Sequence, residues 1–170
     1  MSVIALPSSS QLPLPSQALL ATVQRRQGRV PNMLRVLGHS PAALAGYLQL
    51  AEQLAGGGLN AAERERVALA VSQANACDYC LRAHAWLAGR QGLSSEEQAL
   101  ARQAGEGDAL AQFARALVEG RGRVGDEVFA QARRAGLDET RMVEVVAQVA
   151  CMTLSNYLNN LAQTEIDFPA

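Results

Sequence analysis

Glu65-Arg66-Val67-Ala68-Leu69-Ala70-Val71-Ser72-Gln73-Ala74-Asn75-Ala76-Cys77-Asp78-Tyr79-Cys80-Leu81-Arg82-Ala83-His84 reads as two helices joined by a sharp break. The run from Val67 to Val71 is almost wholly apolar, which predicts a helix buried on most of its sides. Asn75 can end that helix in a left-handed conformation. A second helix then starts around Cys77 and carries Cys80, His84 and Leu87 along one side before Gly89. From Ser16 onward, most of the remaining chain reads as further helix.

Upstream, Asn60 is placed to cap the first of the two helices, with Glu63 at the position from which a capping-box side chain reaches back. Ser40-Pro41 opens an earlier helix, serine at the N-cap and proline at the first helical position, and an apolar stripe of Leu44, Tyr47, Leu48 and Leu54 runs to the Gly56-Gly57-Gly58 stop. Gln17 to Arg26 and Asn32 to Val36 predict two shorter helices. Downstream, helices are expected at 94–104, 108–119, 125–134 and 138–162, each bounded by a capping residue or a glycine. Leu59-Asn60 and Leu137-Asp138 open two of the long helices alike, a weak internal echo. Residues 1–15, rich in serine and proline, are expected to form an extended arm lying on the domain or on a neighbouring subunit, with the fold proper beginning near Ser16.

The composition agrees with an all-α fold. The 170 residues are 49% hydrophobic but only 4% aromatic, so helix-forming alanine and leucine carry the apolar content. That is enough chain for one well-buried domain. Fifteen basic and sixteen acidic residues leave a net charge of -1 with no basic run, which argues against a nucleic-acid partner. The N-terminus lacks a basic start, and Pro7, Pro13 and Pro15 interrupt the first fifteen residues, so neither a secretory signal nor a membrane span is expected. The expectation is a soluble cytoplasmic protein. There the thiol pools keep structural cysteines reduced, so a Cys-x-x-Cys pair points to catalysis or metal binding rather than a static staple.

Cys80 and His84 are four apart and share a helix face, and Cys77 lies one turn earlier. A dithiol at this spacing can cycle to a disulfide while an imidazole moves the protons. At the first turn, the helix N-terminus would favour a Cys77 thiolate, whereas Asp78 opposes it. On one unbroken helix Glu65 would stand roughly 18 Å from Cys77 along the axis. Only a reversal at Asn75-Ala76 can bring its carboxylate beside His84, where it would orient the ring for a proton relay. By distance along the helix, His84 should act on Cys80, and Cys77, nearer the exposed end, should meet an external dithiol. Glu63 is the competing relay acid. Cys151, among Val149, Ala150, Met152 and Leu154, reads as core, His39 as a helix-entrance hydrogen-bonding residue, and Trp86 and Tyr47 as packing residues, with Trp86 placed to line the approach to the thiols.

Glu65, Cys77, Cys80 and His84 have the Glu-x11-Cys-x2-Cys-x3-His spacing of the alkyl hydroperoxidase D-like branch of the carboxymuconolactone decarboxylase family, and Asn75 and Tyr79 look like common residues of that motif. The flanks Gly28-Arg29-Val30-Pro31-Asn32, His39-Ser40-Pro41, Asn156-Tyr157-Leu158-Asn159-Asn160 and Asp167-Phe168-Pro169 resemble its peroxidase-related subgroup. The resemblance covers most of residues 25–170, within a domain spanning 16–170. It implies a helical subunit assembling as a trimer or hexamer, with no bound cofactor, that reduces hydroperoxides with Cys77 and Cys80. A dithiol donor such as a lipoylated protein would supply the electrons. Tyr79 stands where the founding type has a further histidine. The decarboxylase branch lacks the cysteine pair, so Cys77 and Cys80 argue against ring-lactone decarboxylation.

Two other readings use the same residues. Cys77, Cys80, His84 and Glu65 could be four zinc ligands, since thiolate, imidazole and carboxylate all suit that ion. The chain could also be a non-enzymatic helical redox sensor, or a partner protein stabilised by such a zinc site.

Overall fold

The computed structural model describes residues 4–169, and among these the chain forms nine α-helices and no strand. In chain order they are α1 (Leu14–Gln27), α2 (Asn32–Leu37), α3 (Pro41–Ala55), α4 (Ala61–Ala74), α5 (Asp78–Arg90), α6 (Ser95–Gln103), α7 (Ala109–Glu119), α8 (Asp126–Arg134) and α9 (Glu139–Ala162). Five of the starts carry the expected side-chain caps, whereas α2 begins behind Pro31 with Asn32, read as its cap, as the first helical residue. Ser40, Asn60, Ser94, Asp108 and Asp138 each accept a hydrogen bond from a backbone N–H in the first turn, and Asn60–Glu63 and Ser94–Glu97 close full capping boxes.

The apolar segment of α4 forms the axis of the fold. Val67, Ala68, Leu69, Ala70 and Val71 are fully buried, and α5, α6, α7 and α9 pack around them. Leu59 and Leu137, the residues before the two similar caps, both enter this core. A second apolar cluster joins α1, α2 and α3 through Leu20, Val23, Leu34, Leu37 and Leu44. α9 is long enough to touch α2, α3, α4, α5 and α7, so it ties the two clusters together.

Helix α1 begins at Leu14, three residues ahead of the expected Gln17, because Pro13 and Pro15 fit a helix entrance. Of the arm, residues 1–3 lie outside the described residues. The remainder runs over the domain: Pro7 and Leu12 are buried, the Arg35 guanidinium donates to the Pro7 carbonyl at 2.5 and 2.8 Å, and a short 3-10 turn spans Ser9–Gln11. His39 Nε2 lies 3.0 Å from the Ala5 carbonyl oxygen, which places this histidine in arm attachment.

Candidate active site

The link between α4 and α5 positions the site. Asn75 stays on the right-handed side (φ -89°), and Ala76 takes the left-handed conformation (φ 49°), which corrects the expectation for Asn75. Ala76 N–H bonds to the Gln73 carbonyl and Cys77 N–H to the Ser72 carbonyl, the paired pattern that closes a helix with a left-handed residue. The left-handed turn costs an alanine about 1–2 kcal/mol. Asn75 serves the link differently: its amide donates to Asn156 Oδ1 (3.0 Å) and its carbonyl accepts from Asn160 (2.8 Å), pinning the reversal to α9.

Cys77 follows at once as the N-cap of α5, its Sγ accepting the Cys80 N–H at 3.3 Å. The two cysteines are joined as a disulfide with Cα atoms 5.3 Å apart. Cys77 is fully buried and Cys80 is 3% exposed, so the expectation that Cys77 stands at an exposed end is overturned. The N-cap of this helix faces inward, against Met33 of α2 and Phe168 of the C-terminal tail.

The reversal brings Glu65 back to α5. Its Oε2 lies 2.7 Å from His84 Nδ1, both side chains being largely buried. A carboxylate only accepts, so the Nδ1–H of His84 faces it and Nε2 is left as the ring's proton acceptor. Among the described residues no hydrogen bond joins His84 to either sulfur. Glu63 is engaged elsewhere, accepting from Asn60 N–H and pairing with Arg141. The four residues of the zinc reading are arranged as a disulfide and a separate carboxylate–imidazole pair, and among the described residues no three His, Cys, Asp or Glu side chains converge to hold a metal ion. Cys151 is buried in the core, and burial pushes its thiol up to about 11.

Two contributors were missed by the sequence reading. The first is Asn159 on α9, buried, with its Nδ2 donating to Cys80 Sγ at 3.2 Å. The signal for it was the Asn156-Tyr157-Leu158-Asn159-Asn160 run, three asparagines in a helix they disfavour. The second is the tail after α9. Asp167 accepts from Arg29 (2.5 Å), from Asn32 N–H (3.1 Å) and from the Tyr79 hydroxyl (2.8 Å). Tyr79 in turn accepts from Met33 N–H, and burial first, then Asp167, holds its phenol well above the usual range. Tyr79 is thus a protonated strut. Phe168 packs on Tyr79 and Trp86, ring centroids 5.7 Å apart in each case, with Arg29 over its face. Outside this strap, Trp86, Arg82, Asp78, Ile166 and Pro169 line a groove of about 640 Å³.

Residues 41–120 match the carboxymuconolactone decarboxylase family. No curated protein matches the chain. Among solved structures, the fold is similar to the alkylhydroperoxidase AhpD core of an uncharacterised peroxidase-related protein from Ralstonia eutropha JMP134, at 25% identity and a TM-score of 0.82, covering 98% of this chain and 92% of that one. An uncharacterised peroxidase-related protein from Silicibacter sp. TM1040 is similar at 20% identity and a TM-score of 0.80, covering 96% and 91%. The debrominase Bmp8 shares the fold at 18% identity and a TM-score of 0.80, covering 98% and 93%. With the family match across α3 to α7, this fold and the Glu-x11-Cys-x2-Cys-x3-His motif across α4 and α5, the chain is similar to the alkyl hydroperoxidase D-like branch of the carboxymuconolactone decarboxylase family.

Proposed function

We propose that this protein is a thiol-dependent peroxidase that reduces hydroperoxides through a Cys77/Cys80 dithiol–disulfide cycle, with Glu65 and His84 as its proton relay. The observation that carries the reading is a joined cysteine pair at a helix N-terminus, one turn from an imidazole held 2.7 Å from a carboxylate. In the reduced state His84 takes the proton of the Cys80 thiol. The thiolate attacks the terminal oxygen of the hydroperoxide: the S–O bond forms, the O–O bond breaks, and Cys80 becomes a sulfenic acid. The leaving alkoxide takes the proton from His84 and departs as an alcohol. The Cys77 thiol then attacks Cys80 Sγ, the disulfide closes, and water leaves with the Cys77 proton. An external dithiol, such as that of a lipoylated protein, reopens the pair by exchange, and the cytoplasm is the compartment where such donors stay reduced. Burial of the sulfurs suits a site that condenses quickly and keeps larger oxidants out.

Bmp8 is a debrominase on the same scaffold, so the oxidant itself must be tested. The decisive assay supplies dihydrolipoamide with hydrogen peroxide or an organic hydroperoxide and follows dithiol oxidation. The expected result is catalytic turnover abolished by Cys77→Ser or Cys80→Ser. Turnover retained in both variants would refute the cycle, and stoichiometric zinc surviving dialysis of the reduced protein would favour the metal reading.

We extend the proposal to assembly as a homo-trimer or hexamer. Val143, Val146, Leu154, Tyr157 and Leu161 form an exposed apolar stripe at helical spacing along α9, on a helix whose other side carries Asn159. Subunit contacts are the usual destination of such a stripe.

A further inference from the structure

We propose that Asn159 is a catalytic residue of this site: its amide stabilises the Cys80 thiolate through Nδ2–H and accepts the hydroxyl of the hydroperoxide through Oδ1 during oxygen transfer. The inference rests on the peroxidase reading for its second half only. Asn159 is 3% exposed and comes from the far end of α9, 79 residues from Cys80 in the chain. A disulfide sulfur carries no hydrogen, so the group facing it at 3.2 Å must be the NH2 end. The other end of the same amide, Oδ1, is buried with no hydrogen-bond partner among the described residues, although neighbouring Asn156 pairs both ends of its amide, with Asn75 and Ser72. A buried carbonyl left unpaired is unfavourable, and a catalytic role is one of the reasons for which native proteins keep such a group.

The first chemical step supplies that state. When Cys80 is a thiolate, Nδ2–H becomes a charge-assisted donor, stronger than its bond to the disulfide. The attacked oxygen of the hydroperoxide keeps its hydrogen as it moves onto sulfur, so the product is S–O–H. One amide then serves both atoms, its N–H toward sulfur and its carbonyl accepting the new hydroxyl. Cys77 has a backbone donor in the Cys80 N–H but no side-chain amide. This difference assigns Cys80 as the sulfur that receives oxygen.

The test uses the full-length reduced protein carrying Cys77→Ser, so that Cys80 is the single reactive site thiol, Cys151 being buried and protonated below about pH 10. Iodoacetamide alkylation is followed against pH, with Asn159→Ala and Asn159→Asp in that background. Loss of the donor should raise the Cys80 midpoint by about one pH unit in Asn159→Ala, a tenfold slower reaction below the midpoint. Asn159→Asp should raise it further, because a carboxylate then faces the thiolate. A packing role would give the opposite order, since aspartate keeps the shape, and this variant preserves the test if the alanine variant does not fold. Midpoints unchanged in both, or a milder effect from aspartate, would overturn the donor role.

The acceptor role is read with tert-butyl hydroperoxide and dimedone trapping of the sulfenic acid, at a pH above both midpoints where thiolate fractions are equal. Asn159→Ala should still be about tenfold slower there, within the range for one positioned group, and equal rates would overturn it. If the Cys77→Ser parent takes no oxygen from the peroxide, the peroxidase reading fails, while the alkylation profile still decides the donor role.

Discussion

One carboxylate gathers three of the hydrogen bonds that hold the tail over the thiols, which makes Asp167→Ala a sharp perturbation. Asp167 accepts hydrogen bonds from Arg29, Asn32 N–H and Tyr79, three residues brought from α2, its approach and α5. A hydrogen bond to a charged group is worth about 1.5–3 kcal/mol when buried. Here the Arg29 and Asp167 side chains are 33% and 23% exposed, so solvent screening reduces the ion-pair share. The three bonds are also not additive, and we take about 2 kcal/mol for the set. The variant retains the Phe168 ring contacts, the Arg29 bond to the backbone carbonyl of residue 167 and the Asn32 bond to the Glu165 carbonyl, so the chain beyond Thr164 should open locally rather than the domain unfold. A loss of about 2 kcal/mol raises the open population about 30-fold. We therefore predict that reduced Asp167→Ala reacts with a bulky thiol reagent at least about tenfold faster than wild type, with global stability lowered far less. Fluorescence of Trp86, the one tryptophan of the sequence and packed on Phe168, checks that the tail has opened. A shifted Trp86 emission with unchanged thiol reactivity would refute the reasoning, because the tail would then be a decoration and not a cover.

Other outcomes follow from the same contacts. Glu65→Gln should fold normally yet lower dithiol-dependent peroxide reduction at least about tenfold, whereas Glu63→Gln, which loses the charge of its pair with Arg141 but keeps a carbonyl acceptor for the Asn60 N–H, should cost about 1 kcal/mol or less in stability and little activity; equal small effects on turnover would remove Glu65 from the mechanism. Ala76→Gly should stabilise by about 0.5 kcal/mol in urea unfolding, the relief of the left-handed strain exceeding the added freedom of the unfolded chain; a loss of stability would show that the turn is not strained. Burial holds the Cys151 thiol up to about 11 against an ordinary 9.0, so between these values the unfolded chain loses its proton first and stability falls as pH rises, by on the order of 2 kcal/mol, an effect absent below pH 9. Cys151→Ala should flatten that slope in chemical denaturation, and an unchanged slope would count against it. Light scattering at micromolar concentration should give a trimer or hexamer that Tyr157→Glu dissociates, and a clean 18 kDa species for the wild type would refute assembly.

How far the site could be read in advance depended on whether each contact left a local trace. Caps leave one: Asn60 with Glu63 and Ser94 with Glu97 act within three residues, so the starts of the capped helices were legible to within a residue or two. The reversal at Asn75-Ala76 was legible as a break, because Glu65 needed it to reach His84. The residue that adopts the strained conformation was not, since asparagine is the better left-handed residue and its side chain was required instead by α9. Burial of Cys77 was missed for a related reason. Helix position alone predicts an open first turn, and the cover comes from Met33 and Phe168, 44 residues before it and 91 after. Asn159 acts across 79 residues and Asp167 across 88 to 138 through individual hydrogen bonds, which impose no periodicity on the sequence between them. What such residues do leave is local inconsistency. Three asparagines near the end of α9 give up helix propensity: Asn156 and Asn160 hold the turn between α4 and α5, and Asn159 gives up half of its own hydrogen bonding while it faces Cys80. A polar run that weakens the helix carrying it, facing the only dithiol the described residues contain, is a signal of chemistry that spacing motifs cannot supply.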